Sequence, residues 1–351
     1  MKRFAFIALL IPSLALAQYT RTDLVTGPSN TNPNLVNAWG LTTLSGLFFW
    51  VSDNGSGKST LYTGAGTPVP LVVTIPSAAG FSVQGQPTGT VGNIAAASNA
   101  FTVTDGTTSG TALFLFATLD GTISGWAPNV NPLNPKSTAL STAATLAANR
   151  SSVGAIYPGL AIGSNNGQAL LYAADDGPNR RVDVFDATFN LVHPSAHAFE
   201  DPGIPRDFAP YGIQNIAGNI WVTYTALDKA QSGFVDKFAA DGTLLQHFAV
   251  QGPLHSPWGV AQAPANFGPM SNAILISNNT SRGRINAFDP NTGAFLGPLR
   301  DSGGQPIEVD EIWAIQFGLG DQNNGPTNQL FFTAGPNSYS SGTFGVVKFG
   351  N

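Results

Sequence analysis

Ser256-Pro257-Trp258-Gly259-Val260 decides the fold, because its central phrase returns along the chain. An aromatic residue or a proline stands before a glycine that opens a short apolar run. The copies are Trp39-Gly40-Leu41, Pro158-Gly159-Leu160, Tyr211-Gly212-Ile213 and Trp258-Gly259-Val260. Pro87-Thr88-Gly89 and Ile312-Trp313-Ala314 are looser copies. From Gly40, the steps to Gly89, Gly159, Gly212, Gly259 and Ala314 are 49, 70, 53, 47 and 55 residues. A step of about 40–50 residues with strand-like content marks the blades of a β-propeller. Glycine at the start of an inner strand permits close backbone approach near the axis, and the preceding ring fills the gap between blades.

Outward from each phrase the repeat reads in one order. A stronger apolar strand follows the glycine, then a polar turn, then a third strand. Phe48 to Val51 stops at Ser52-Asp53-Asn54-Gly55, and Leu113 to Thr118 stops at Asp120-Gly121, a hairpin signal. Arg181 to Phe185 and Arg284 to Phe288 read as third strands, and Leu71 to Ile75 as a fourth. Six units of four antiparallel strands fit residues 31–349. The last repeat runs out after Gly345 to Phe349, while Tyr19 to Val25 alternates like a strand ahead of the first repeat. The expected fold is therefore an all-β six-bladed propeller with four-stranded blades, its ring closed by the N-terminal strand, which removes free sheet edges. Ser137 to Asn149 is the only stretch with helical character.

Lys2 and Arg3, the apolar run from Phe4 to Leu16 and the small-x-small Ala15-Leu16-Ala17 read as a secretory signal, with cleavage after Ala17. The organisation expected is a signal peptide at 1–17 and one propeller domain at 18–351, secreted or periplasmic. Without the leader the balance is 13 basic against 20 acidic residues, or −7. That argues against nucleic acid or an anionic membrane as partner, since both need basic clusters. No later segment is apolar enough for a membrane helix. Charged residues make up 10% of the chain, against about 25% in an average soluble protein. The chain has no cysteine, which removes thiol nucleophiles and thiolate metal sites.

Two repeats resemble NHL-type blades: Tyr172 to Asp186, with Asp175 and an Asn179-Arg180-Arg181 turn, and Ile276 to Asp289. The longer phrases Asn34 to Leu41, Val51 to Tyr62, Phe116 to Trp126, Ser256 to Val260, Arg284 to Asp289 and Phe331 to Pro336 resemble a family of exported bacterial six-bladed propellers. Some of its members carry a C-terminal PEP-CTERM sorting tail. The resemblance implies a fold and a compartment and attaches no reaction. The chain departs from the family pattern twice. Leu119 stands where members carry an acidic residue, and Tyr339-Ser340-Ser341-Gly342 stands where they carry a Glu-x-His-Gly phrase.

Three sets of residues are candidates for chemistry. Those just before each inner strand should ring one channel mouth: Asn37, Gln86, Tyr157, Tyr211, His255 and Glu311. They would bind a small ligand or simply line a wet channel. Asn37, His255 and Glu311, from repeats one, five and six, should converge on one side of it. The turns after the second strands supply Asp53, Asn54, Asp120, Asp175, Asp176, Asp228, Asn278 and Asn279, candidates for a Ca²⁺ site as hard oxygen ligands, with Asp53, Asp120, Asp175 and Asn278 foremost, or for plain turn chemistry. His193 and His197 share a loop with Glu200 and Asp201, read either as metal ligands or as a solvated connection. No Gly-x-Ser-x-Gly elbow occurs, and Ser56 to Thr60 lacks the spacing of a P-loop. The function expected is an exported, non-catalytic propeller that binds a ligand, glycan or protein through its loop face. The alternative is a metal-dependent hydrolase or lactonase working at the channel mouth.

Overall fold

The computed structural model describes residues 18–228 and 232–350; the expected signal segment, 1–17, lies outside the described residues. Six antiparallel sheets, each built on a path of four strands, follow one another in chain order, and the fifth gains a short extra strand, Glu308–Val309. Their inner strands are Ala38–Thr42, Pro87–Gly92, Gly159–Asn165, Phe208–Ile216, Pro257–Gln262 and Ile312–Phe317. Each of the first five sheets runs outward in sequence order. The sixth takes its outermost strand from the start of the described chain. Tyr19–Gly27 pairs with Gly342–Phe349, from Tyr19 opposite Phe349 to Gly27 opposite Gly342. Tyr19 also donates its hydroxyl to the Phe267 carbonyl of blade five at 2.8 Å, so the closing strand fastens two blades.

The recurring phrase is a β-bulge. In blade one Ala38 pairs with Asp53 and Leu41 with Val51, so Trp39-Gly40 supplies one residue too many. The same slip occurs at Thr88-Gly89, Tyr211-Gly212, Trp258-Gly259 and Trp313-Ala314. A bulge bends an inner strand where six of them meet. The glycines are required by the neighbouring blade. A Cβ on Gly40 would lie 2.2 Å from the Thr88 carbonyl oxygen, and one on Gly212 2.0 Å from that of Trp258. Each clash is with the next blade in chain order, which is how the repeat sets the ring.

Hydroxyls on the second strands tie blade to blade. The Gly212 N–H donates to Thr223 Oγ1, which donates to the Pro257 carbonyl of blade five. Gly259 N–H, Ser277 Oγ and the Trp313 carbonyl repeat this between blades five and six. Ala314 N–H, Thr333 Oγ1 and the Trp39 carbonyl repeat it across the closure. Between these polar links the core lies in apolar wedges between adjacent sheets, such as Leu160, Leu171 and Phe185 against Leu115 and Ile123.

The long second interval holds an extra hairpin, Thr102–Thr104 with Ser109–Thr111, and an excursion before the outer strand. The stretch with helical character does not make a helix. Its end, Thr145–Asn149, is the outer strand of blade two, paired with Thr122 to Gly125. Ladder hydrogen bonds to an otherwise open edge outweigh the helix propensity of alanine there, which is the highest of any residue but worth under about 1 kcal/mol per position. Among the described residues no helix is long and apolar enough to cross a membrane.

Candidate functional site

All six blades meet at the start of their inner strands around a cavity of about 420 Å³. Its residues come from the bulges, the turns after the second strands and one loop. Trp39, Pro158 and Tyr211 stand at the bulge positions. Leu119, Asp176, Leu227 and Asn279 occupy the turns, and Ser256, Glu311 and Tyr339 complete the wall. The opposite end of the axis opens into a second cavity, of about 510 Å³, lined by the far ends of the same strands.

The mouth rests on aromatic rings packed on Trp313. Trp39 stacks on it with ring centres 3.6 Å apart and planes at 14°. Trp258 meets it edge-on at 6.0 Å, and Tyr211 and Tyr339 lie at 5.9 and 5.8 Å. Trp258 Nε1 donates to the Pro158 carbonyl at 3.2 Å, which carries a blade-five side chain to blade three. Trp313 Nε1 donates to Asn37 Oδ1 at 2.9 Å. Inter-blade packing was the expectation for Trp258, and the ring does more: it spans the axis under the mouth.

Above this floor the groups are polar. Tyr339 donates its hydroxyl towards Glu311 Oε2 at 2.9 Å and Asn279 Oδ1 at 3.0 Å. Burial, and then the Glu311 carboxylate, push the Tyr339 phenol well up from its usual range. Burial also raises the Tyr211 phenol, helped by Tyr339, Asp176 and Glu311. No lysine, arginine or histidine is among the described residues that line the mouth. Trp39 Nε1 is buried and has no hydrogen-bond partner. The arrangement offers aromatic faces, hydroxyls, amides and two carboxylates, and suits a neutral or cationic polar molecule rather than an anion.

The backbone shows which residues are equivalent from blade to blade. The N–H groups of Asn54, Leu119, Asp176, Asn279 and Gly335 donate to the carbonyls of Asn37, Gln86, Ile156, Ser256 and Glu311. Asn37, Ser256 and Glu311 share left-handed backbone, with φ of 47°, 48° and 51°. Of the six residues expected to ring the mouth, Tyr211 and Glu311 line it. Asn37 lies beneath it, its side chain held between Trp313 and Asn54. Gln86 is at the equivalent backbone position and exposed. Tyr157 is buried one residue past it and donates to Asp183 Oδ2 at 2.6 Å. His255 falls one residue short; Ser256 takes the mouth position, while His255 lines a separate cavity with Arg284 and Asn286. Of the three residues expected to converge, Glu311 lines the mouth, Asn37 lies beneath it and His255 lines the separate cavity.

Of the expected calcium ligands, Asp176 and Asn279 line the mouth and Asn54 lies beneath it, while Asp53, Asp120, Asp175 and Asn278 turn away from it. Asp53 is fully buried, with Oδ2 accepting from Thr60 Oγ1 at 2.7 Å. Asp120 accepts from Thr118 Oγ1 and the Ala78 N–H. Asp175 accepts from the Ile156 and Gly177 N–H groups and Asn179 Nδ2. Asn278 donates to the Pro253 carbonyl. These are contacts of turns and blade interfaces. Leu119 and Tyr339, where the chain departs from the resembled family, both line the mouth.

No family model matches the chain. Two proteins of Acanthamoeba polyphaga mimivirus, each described only as uncharacterized, are similar to it over most of its length. One is 29% identical over 96% of this chain and 82% of its own, the other 28% over 90% and 81%. Among solved structures, the PQQ-bound form of an aldose sugar dehydrogenase from Streptomyces coelicolor aligns with a TM-score of 0.54. It covers 95% of this chain and 99% of its own at 12% identity, a likeness of fold alone. The six-bladed propeller implied by the resemblance is thus what the chain forms. A bacterial origin, NHL-type blades and sorting tails find no support, and the relatives are viral.

Proposed function

We propose that this protein is a binding propeller that takes a neutral or cationic polar small molecule, of the class of a sugar or amino sugar, at the six-blade mouth. One observation carries the reading. The cavity joins an aromatic floor to two carboxylates and several hydroxyl and amide groups, with no cationic side chain among its described lining residues. Ring faces pack against the apolar faces of a sugar, and convergent polar groups satisfy its hydroxyls. Trp39 Nε1–H, buried without an acceptor, adds a donor that a bound hydroxyl would satisfy. The basic start and apolar run of residues 1–16 support action outside the cytoplasm.

The hydrolase or lactonase alternative draws less support. It called for a cation at this mouth, and of the expected ligands Asp53, Asp120, Asp175 and Asn278 are committed to turns and interfaces, which leaves Asp176 and Asn279 there. The test is calorimetric titration of the full chain with neutral saccharides and amino sugars, with sugar phosphates as the anionic control. Binding should weaken at least about tenfold in Glu311→Gln and in Tyr339→Phe, the loss of one hydrogen bond in a site that holds a charged group. Sugar phosphates binding best, or affinity unmoved in both variants, would overturn the reading.

A further inference from the structure

Away from the mouth, on the outer half of blade four, three side chains from distant segments meet. Asp236 lies on the third strand, Gly233–Phe238, and His247 directly opposite it on the fourth, Leu244–Val250. Asp201 comes from the connection between blades three and four. His247 Nδ1 stands 2.7 Å from Asp236 Oδ1 and 2.7 Å from Asp201 Oδ2. One ligand atom from each of the three lies within 4.8 Å of the other two.

The described ion pairs set one imidazole against two carboxylates. The Asp236 and Asp201 side chains are 0% and 7% exposed. Among the described residues both carboxylates form their ion pairs with His247 alone. An imidazole nitrogen has at most one N–H to give, and its geometry as a hydrogen bond is met towards Asp236. Asp201 Oδ2 and Asp236 Oδ2 are buried without a hydrogen-bond partner. The Tyr224 hydroxyl also hydrogen-bonds to Asp236; two desolvated carboxylates that share these two donors are still costly, and a bound cation removes that cost.

We propose that Asp201, Asp236 and His247 form a divalent-cation site, of the zinc class, that fastens the blade three–four connection to the outer edge of blade four. One imidazole nitrogen with two carboxylates suits a first-row transition ion better than Ca²⁺, which takes oxygen ligands only. Tetrahedral metal–ligand bonds of about 2.0–2.2 Å set neighbouring ligand atoms roughly 3.3–3.6 Å apart, which falls between the 2.7 Å contacts of His247 and the 4.8 Å limit of the cluster. The half-exposed face of His247 leaves room for a water as fourth ligand. The nearby His193 and His197 take no part: His197 pairs with Glu200 at the surface.

The experiment uses the full chain, stripped with chelator and titrated with Zn²⁺, and with Co²⁺ for its visible ligand-field spectrum. We expect one ion per chain, a higher melting temperature with metal, and slower proteolysis within 193–207. His247→Gln and Asp201→Asn should each bind at least about a hundredfold more weakly. Asp201 lies on a connection, so that variant should fold even where a change at Asp236 does not. His193→Ala with His197→Ala should bind as the parent does. No ion held at millimolar Zn²⁺, or equal affinity in the parent, His247→Gln and Asp201→Asn, would overturn the proposal.

Discussion

Trp313→Ala should be among the most damaging single changes in this protein. The ring is 1% exposed and touches Trp39, Trp258, Tyr211 and Tyr339, three of them from other blades. Removing a buried tryptophan costs about 3–5 kcal/mol in lost burial and cavity. It also leaves Asn37 Oδ1 without the indole N–H, about 1–3 kcal/mol for a buried acceptor. Relaxation of the surrounding rings recovers part of this, so the expected loss is about 4–6 kcal/mol. For a chain of this size that is a fall of roughly 10 °C in melting temperature. Trp313→Phe separates the two contributions. It keeps most of the stacking on Trp39 and loses the donor, so it should cost about 1–3 kcal/mol. The assay is urea unfolding followed by circular dichroism, with melting by calorimetry. A Trp313→Ala protein that unfolds with the parent's midpoint would show that the rings are not a packed hub. Equal losses in the Phe and Ala variants would place the effect in the hydrogen bond instead.

Deleting residues 18–26 removes the strand that pairs with Gly342–Phe349 and the Tyr19 tie to blade five; aggregation or a large stability loss is expected, and a monodisperse product with an unchanged melting temperature would refute the closure. Burial raises the Asp53 carboxyl well above its usual range, with the Thr60 hydrogen bonds opposing. Its contribution to stability is therefore full below the unfolded-state value near pH 4 and is lost as pH rises through the folded-state value. Asp53→Asn should flatten that slope, gaining on the parent between pH 4 and neutrality; parallel pH–stability curves would contradict this.

The sequence by itself determined the number of blades, their strand order and the seam. Steric demand explains why. Gly40, Gly212 and Gly259 each face the backbone of the next inner strand, so the phrase had to be kept wherever a blade meets the axis. Alternation and turn residues did the same for the middle strands, and Tyr19 to Val25 showed its pairing through its pattern. The turns that feed the mouth were legible, but not which of two adjacent polar residues in each faces it. Successive strand residues point to opposite sides, so a one-place slip moves a side chain from the mouth to a blade interface. Asp53, Asp175 and Asn278 turn into the protein, while Asn54 lies under the mouth and Asp176 and Asn279 line it. His255 was read in place of Ser256 for the same reason. The bulges decide that register, and a bulge is set by hydrogen bonds between strands that no local pattern records. Tertiary structure alone assembled the Trp39–Trp258–Trp313 floor. It alone brought Asp201, Asp236 and His247 together, because nothing in their spacing of 35 and 11 residues marks a shared site.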